Sequence, residues 1–384
     1  MADPLGSATA VADISPLRAL HYDLHRTGGL DPVAAPPYDV IDPAQRAELV
    51  ARSPYNVVAI DLPVEENGSD RYEHAAATLD EWRAGGIVVA DSEPALWALE
   101  QDYTGPDGHR RTRHGLLARV KVQPYGAGRI RPHERTHPGP KEDRLRLTRA
   151  TRTAMSPIFS LYDDPEGAAW GAVAAHIAGT PYAEVGGDGP HRHVLMCLVS
   201  LSDPGLTIFP THRLLTGLDD ARRTALRDAI RRDWDVEEVA EDELEPEPAQ
   251  DGRVKLGYLD AHHGRPLRLT LKDPETADAA LPGKPAAYRR LDTAVTEALL
   301  LQGALGMSED DISHFRGLDY ARSTAEAIAR IRAGDVQAGL FMGPAPVDLV
   351  RAVAAAGEVM PPKSTYFFPK VLTGLVFNPL ESDA

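Results

Sequence analysis

The chain has 384 residues, 43% of them hydrophobic, and a formal net charge of −16. That length lets roughly three quarters of the unfolded surface be buried and predicts about two domains. The acid excess excludes a general nucleic-acid binder, which holds phosphate backbones with surplus Lys and Arg, and no apolar run reaches the roughly eighteen residues of a membrane span. The opening MADPLGSATAVADISPLRAL lacks the charged-then-apolar order of a secretion signal, so a cytoplasmic protein is expected. The single cysteine, Cys197, sits in VLMCLVSL, which predicts a buried core thiol and allows no internal disulfide.

In chain order, APPYDVID (35–42) reads either as a proline-fixed turn with Tyr38 packed inward or as a site segment with Asp39 as a base or metal ligand. RYEHAAATLDEWRAGG puts Tyr72, Ala75, Ala76, Leu79 and Trp82 at helical spacing and stops at Gly85 and Gly86, predicting an amphipathic helix. IVVA predicts a short strand, and PALWALEQDYT, GPDG and HGLLARVKV a hairpin. GLTIFP reads as a strand, and His212 and Arg213 after it face either a cleft or the surface. GLDDARRTALRDAIRRDW and LDTAVTEALLLQGAL predict helices, and RVKLGYLDAHHGRPLRLTL a second hairpin turning at AHHGRP. QAGLFM predicts a strand, and PAPVDLVRAVAAAG a helix with prolines at its start and Gly357 at its stop. From Asp233 to Asp251 ten of nineteen residues are acidic, which predicts a solvated loop or hinge. There is no internal repeat. Strands and helices without a βαβ rhythm predict an α+β or mixed α/β fold, with mixed sheets and packed helices. We place an N-terminal α/β domain at 1–165 and a C-terminal α+β domain at 166–384.

RIRPHERTHPGPKEDRLRLTRATR (129–152) holds eight Lys or Arg against three acids inside an acidic chain. Its arginines suit planar, bidentate recognition of phosphate or carboxylate, and its prolines and glycine predict backbone held away from regular structure. His133, Glu134 and His137 match H-E-x-x-H, whose zinc chemistry needs both histidines one turn apart on a helix. Pro138 biases His137 away from helical backbone and Gly139-Pro140 are read as ending any continuation, so no zinc is expected. No haem is expected either. PPKSTYFFPK (361–370) carries a lysine, hydroxyls and aromatics between prolines where a frayed tail would be small and polar. Either Lys363, Ser364 and Thr365 offer an ammonium and hydroxyls to an anion, or the aromatics only pin the tail and Lys363 is solvated.

PPYDVI, HERTHPGPKEDRLRL followed by SPIFSLY, and EVMPPKSTYFFPK with GLVFNPL together resemble the prokaryotic family known as domain of unknown function 1015. The resemblance implies a Gly/His/Arg phosphate-binding box like that of the ParB and sulfiredoxin superfamily, and a nucleotide-using small-molecule phosphotransferase. Here TPYAEVGGDGPHRHVLMCLVSLSD runs almost directly into the next strand, so the box, its helix and the strand before it are read as missing. Asp188 to Arg192 only imitates it, and Val194 to Leu201 reads as the following core strand.

The sequence therefore predicts binding of an anionic or phosphorylated small molecule by Arg131, His133, Thr136, Lys141, Arg144, Arg213, Lys363, Ser364 and Thr365. Glu134 is the expected base and Asp143 the expected Mg²⁺ ligand, with ATP or ADP as donor. Lys141, Arg144 and Lys363 are the expected phosphate clamps. The alternative is a non-catalytic metabolite-binding or scaffold protein. No nucleic-acid or membrane partner is expected, and a homo-oligomer or partner subunit is left open.

Overall fold

A computed structural model describes residues 12–65, 68, 70–121, 130–177, 197–247 and 253–380, with the backbone alone of 184–187 and 189–192. It is a mixed α and β protein with mixed and antiparallel sheets, as the sequence predicts. Two compact units divide the chain. One comprises 12–122, 139–207 and 368–384; the other comprises 123–138 and 208–367, with the first eleven residues. The chain changes unit at 122/123, 138/139, 207/208 and 367/368, so the basic stretch is split between the units after Pro138. Among the described residues no helix is long and apolar enough to cross a membrane.

The first unit is built on a six-stranded sheet whose order is Ser160–Tyr162, Leu198–Ser200, Arg110–Leu117, Trp97–Thr104, Gly189–Arg192, Glu184–Gly187. The central hairpin turns at Gly105–Gly108 as its sequence predicts. Helix Arg71–Ala84 starts where the Asp70 carboxylate accepts from the Tyr72 and Glu73 amides, a cap worth about 1 kcal/mol. It ends before Gly86, whose φ of +67° suits glycine. Tyr72, Ala75, Leu79 and Trp82 form its buried face, and the Trp82 ring packs against Tyr22 and Tyr55. Cys197 is fully buried, and burial pushes its thiol up to about 12.

Two expectations are corrected here. Pro138, Gly139 and Pro140 do not hold the backbone out of regular structure: they open helix Pro138–Thr151. Proline is tolerated in a first helical turn, where its missing N–H has no intrahelical partner to lose. His133 and His137 precede this helix in non-helical backbone. A strand precedes the imitation box where none was read: Glu184–Gly187 pairs antiparallel with Gly189–Arg192. Asp188 and 193–196 lie outside the described residues, and the expected core strand is seen over Leu198–Ser200.

The second unit is an antiparallel six-stranded sheet in the order Trp234–Glu238, Leu267–Leu271, Lys255–Asp260, Ala338–Phe341, His212–Leu215, Leu318–Ala321. Helices Asp220–Asp233, Thr324–Ala333 and Val347–Ala355 accompany it, each on a predicted or periodic apolar face. The AHHGRP turn follows Asp260, whose carboxylate accepts from the His262 and His263 amides. The acidic run begins as a strand and not as a loop. Trp234 is buried, and the four residues after it are exposed along the sheet edge, where charge discourages further strand pairing. Helix Asp292–Thr296 widens into a π-helix over Glu297–Ala304, a geometry that recurs at functional sites.

Candidate functional site

In the second unit the segment from His133 to Arg135 lies beside Met360. The Met360 amide donates to the His133 carbonyl at 2.8 Å and the Arg135 amide to the Met360 carbonyl at 2.9 Å. This pairing brings Glu134 against the loop from Pro361 to Thr365. One carboxylate oxygen accepts the Lys363 amide at 2.8 Å; the other accepts the Thr365 amide at 3.0 Å and its hydroxyl at 2.7 Å. From the opposite side of the same peptides, Arg213 donates to the carbonyls of Thr211 (2.6 Å), Pro362 (3.0 Å) and Lys363 (3.1 Å). Lys363 is held at φ +60°, a left-handed conformation that costs a non-glycine residue about 1 to 2 kcal/mol.

The remaining groups complete a connected network. The Ser364 hydroxyl is buried, donates to the Pro361 carbonyl and meets the Thr293 hydroxyl at 2.9 Å. The Thr365 hydroxyl lies 3.2 Å from His133 Nε2, and the His133 ring packs edge-on against Phe367. Asp292 accepts the amides of Thr293 and Gly343, and burial raises its carboxyl to about 6. His212 Nδ1 accepts the Met342 amide, which places the ring proton on Nε2 facing the Thr324 hydroxyl at 3.1 Å. Burial lowers this imidazole to about 3, and neighbouring Arg213 adds to the effect.

The sequence reading of several side chains changes accordingly. His212 and Arg213 face neither a cleft nor the surface; both are buried, because the whole strand His212–Leu215 lies inside its sheet. Ser364 is a buried structural hydroxyl. Arg131 donates to the carbonyls of Ala354 and Ala355 at the end of helix Val347–Ala355, where a cation also offsets the helix dipole. Thr136 is exposed at the rim of a pocket of about 120 Å³.

The first unit holds the other predicted residues. Arg144 stacks over the Tyr38 ring at 3.9 Å, donates to both the carboxylate and the carbonyl of Asp61, and grips Asp143 through two nitrogens. The other oxygen of Asp143 accepts from Arg71 and from the Tyr72 hydroxyl, both at 2.9 Å. Ser156, from SPIF, reaches Asp61 at 3.4 Å and the Thr373 hydroxyl at 3.1 Å. Burial raises the Asp61 carboxyl while Arg144 opposes the shift. Asp39 is exposed and pairs with Lys370 at 3.3 Å, and Lys141 is exposed in the first turn of its helix. Three of the motif stretches, PPYDVI, DRLRL and SPIF, are therefore linked through Arg144 and Asp61.

The profile of the family described as "Protein of unknown function (DUF1015)" matches residues 14–188 and 172–294. The chain belongs to the DUF1015 family. The C-terminal PPKSTYFFPK lies beyond the matched residues of this DUF1015 protein. No curated protein matches it. Among solved structures it has weak likenesses to a conserved hypothetical protein from Pyrococcus furiosus, at 15% identity over 63% of this chain and 88% of that one, TM-score 0.35. A free serine kinase in complex with AMP is similar at 12% identity over 62% and 83%, TM-score 0.34. A variant of the kinase in complex with ADP gives 12% identity over the same shares, TM-score 0.35.

Sequence reasoning missed Asp61, Asp292 and Glu297. Each had a signal: a lone carboxylate in VVAIDLPV, in RLDTAV or before ALLL must find a partner or a purpose once its neighbours are buried.

Proposed function

We propose that this DUF1015 protein binds a small anionic or phosphorylated metabolite beside the Lys363 loop, and that it transfers phosphoryl groups to a hydroxyl-bearing metabolite slowly if at all. The observation that carries the reading is the conformation of Lys363. Glycine would make the same turn without strain, yet a lysine stands there, its amide held by Glu134 and its carbonyl by Arg213. The turn carries an ammonium where glycine would carry none, and an ammonium is a point-charge donor for phosphate or carboxylate.

Slow turnover follows from the occupied carboxylates. Glu134, the expected base, already accepts three hydrogen bonds, and a base must be able to accept the substrate proton. Asp143 does not fit a Mg²⁺ ligand, because two guanidinium groups and a phenol take its oxygens. Among the described residues no three His, Cys, Asp or Glu side chains form a metal-binding group. No step is routed through Mg²⁺, and ATP or ADP enters this reading as the phosphoryl donor to be tried. The occupied Glu134 equally favours the second reading, a non-catalytic metabolite-binding protein.

A thermal-shift panel of ATP, ADP, inorganic phosphate and phosphorylated amino acids, followed by calorimetry on Lys363→Ala, tests binding. Loss of a charge-assisted hydrogen bond should weaken the best hit by about ten- to a hundredfold. Unchanged affinity rejects the Lys363 site. Phosphorus NMR with ATP or ADP and a pool of hydroxyl metabolites tests turnover, and robust multiple turnover by the isolated protein rejects the slow-enzyme clause.

A further inference from the structure

One of the three hydrogen bonds that Glu134 accepts comes from the hydroxyl of Thr365, at 2.7 Å. The same carboxylate oxygen accepts the Thr365 amide at 3.0 Å, and the other accepts the Lys363 amide at 2.8 Å. The two main-chain donors hold the carboxylate in place. Of the three protons it faces, the hydroxyl's is the one that an oxygen base can take.

A hydroxyl has a single proton. Since it goes to Glu134, the 3.2 Å contact with His133 Nε2 runs the other way, with the ring N–H donating to Thr365 Oγ1. A second lone pair of Oγ1 remains for a further partner. The neighbouring hydroxyl makes the contrast. Ser364 is buried and donates to the Pro361 carbonyl, which is no base, whereas Thr365 is half-buried and donates to a carboxylate. A hydroxyl, a base in hydrogen-bond reach and further groups that orient the base are the parts of an activated nucleophile. Lys363 stands two residues earlier on the same loop.

We propose that Thr365 is a phosphoryl acceptor, phosphorylated by a nucleotide phosphoanhydride with Glu134 as the base. Thr365 Oγ1 attacks the terminal phosphorus and the Oγ1–P bond forms. The hydroxyl proton goes to Glu134. The bond from phosphorus to the bridging oxygen breaks, and that oxygen leaves with the electron pair, as ADP from ATP or as AMP from ADP. His133 Nε2–H, already on Oγ1, then faces the ester oxygen. The proposal rests on the anion site beside Lys363, which holds the phosphates of the donor, and extends it by naming the acceptor.

The experiment incubates the full chain with ATP or with ADP, each in the presence of Mg²⁺. Intact mass and peptide mapping read the phosphoryl group, and calorimetry reads nucleotide binding. The expected result is one phosphoryl group per chain, mapped to Thr365, from whichever nucleotide is the donor. Thr365→Val should bind the nucleotide and stay unlabelled, and Thr365→Ser should be labelled at the same position. Glu134→Gln should be labelled about a hundredfold more slowly or worse, the worth of a positioned base. A label mapped elsewhere, equal labelling of Thr365→Val, or no label on a chain that binds nucleotide overturns the acceptor assignment and leaves the anion site standing. Absence of both binding and label overturns both. Mapping of the wild type beside Thr365→Val decides alone if Glu134→Gln does not fold.

Discussion

Glu134 and Arg213 in one unit direct their charges at main-chain groups of a single loop, whereas Arg144 in the other directs its charge at Asp61 and Asp143. Both arrangements consist of arginine, carboxylate and aromatic side chains, and both come from motif stretches. They differ in what the hydrogen bonds hold. In the arginine cluster the ionic groups satisfy one another, and the charge of Arg144 is neutralised by Asp61 and Asp143. Around Lys363 the ionic groups set the backbone of a neighbour. A cluster of basic residues in sequence is thus weaker evidence for an anion site than one lysine kept in a costly conformation.

The contrast breaks most sharply at Arg213. Arg213→Met removes donors from three carbonyls, those of Thr211 and Pro362 buried and that of Lys363 half-buried, so it should destabilise the protein by about 3 to 5 kcal/mol, and no second apolar substitution can compensate for main-chain oxygens. Denaturant unfolding measures it; a cost below about 1 kcal/mol would show that the loop does not depend on this arginine. Arg144→Ala should cost about 3 kcal/mol by leaving Asp61 buried and unpaired. Here a second substitution should help: Asp61→Leu combined with Arg144→Met should recover most of the loss, because it removes both charges together. Failure of the double variant to recover would mean that the cluster, too, mainly holds backbone, through the Arg144 bond to the Asp61 carbonyl.

Much of the scaffold was legible. Period-two alternation marked both hairpins, period-3.6 marked the helices, and the glycine stops at Gly85–Gly86 and Gly357 fell where predicted. The H-E-x-x-H stretch was legible as non-helical but not as a strand partner of Met360, since that pairing joins residues more than two hundred apart. The reading of Pro138 and Pro140 failed because the same residues end a helix from inside and begin one from its first turn, and local sequence does not say on which side the helix lies. The candidate site was legible in residue types only. Arg213 and Ser364 were chosen as ligand contacts; both are buried, with Arg213 donating to the Lys363 carbonyl and Ser364 to the Pro361 carbonyl.

The two buried histidine and aspartate groups of the second unit sharpen the comparison through pH. Asp292 has a folded pKa raised to about 6 from 3.8, so the folded state binds more protons between those values. Its stabilisation is present below about pH 4 and is lost as pH rises through 6. His212, lowered to about 3 from 6.5, has the opposite sign: its contribution is present above about 6.5 and is lost as pH falls through 3. The two oppose each other between pH 4 and 6. Asp292→Asn should remove one arm, so that the variant gains roughly 2 to 3 kcal/mol relative to wild type between pH 4 and pH 6. Urea titrations at several pH values measure this difference, and a constant offset would mean that Asp292 titrates normally.

The smallest effect on stability is the most informative about function. Lys363→Gly relieves the left-handed backbone while Glu134 and Arg213 keep the same main-chain atoms as partners. If those two residues define the loop, the variant should be more stable by about 1 kcal/mol, less whatever glycine adds to the entropy of the unfolded chain. The same substitution removes the ammonium, so anion binding should fall as in Lys363→Ala. A gain in stability with a loss of binding is the signature of a residue kept at structural cost for its side chain, and no comparable pairing is expected at Arg144, where stability and charge are lost together. If Lys363→Gly is instead destabilised by several kcal/mol, the lysine side chain itself holds the fold, and the functional reading of its conformation fails.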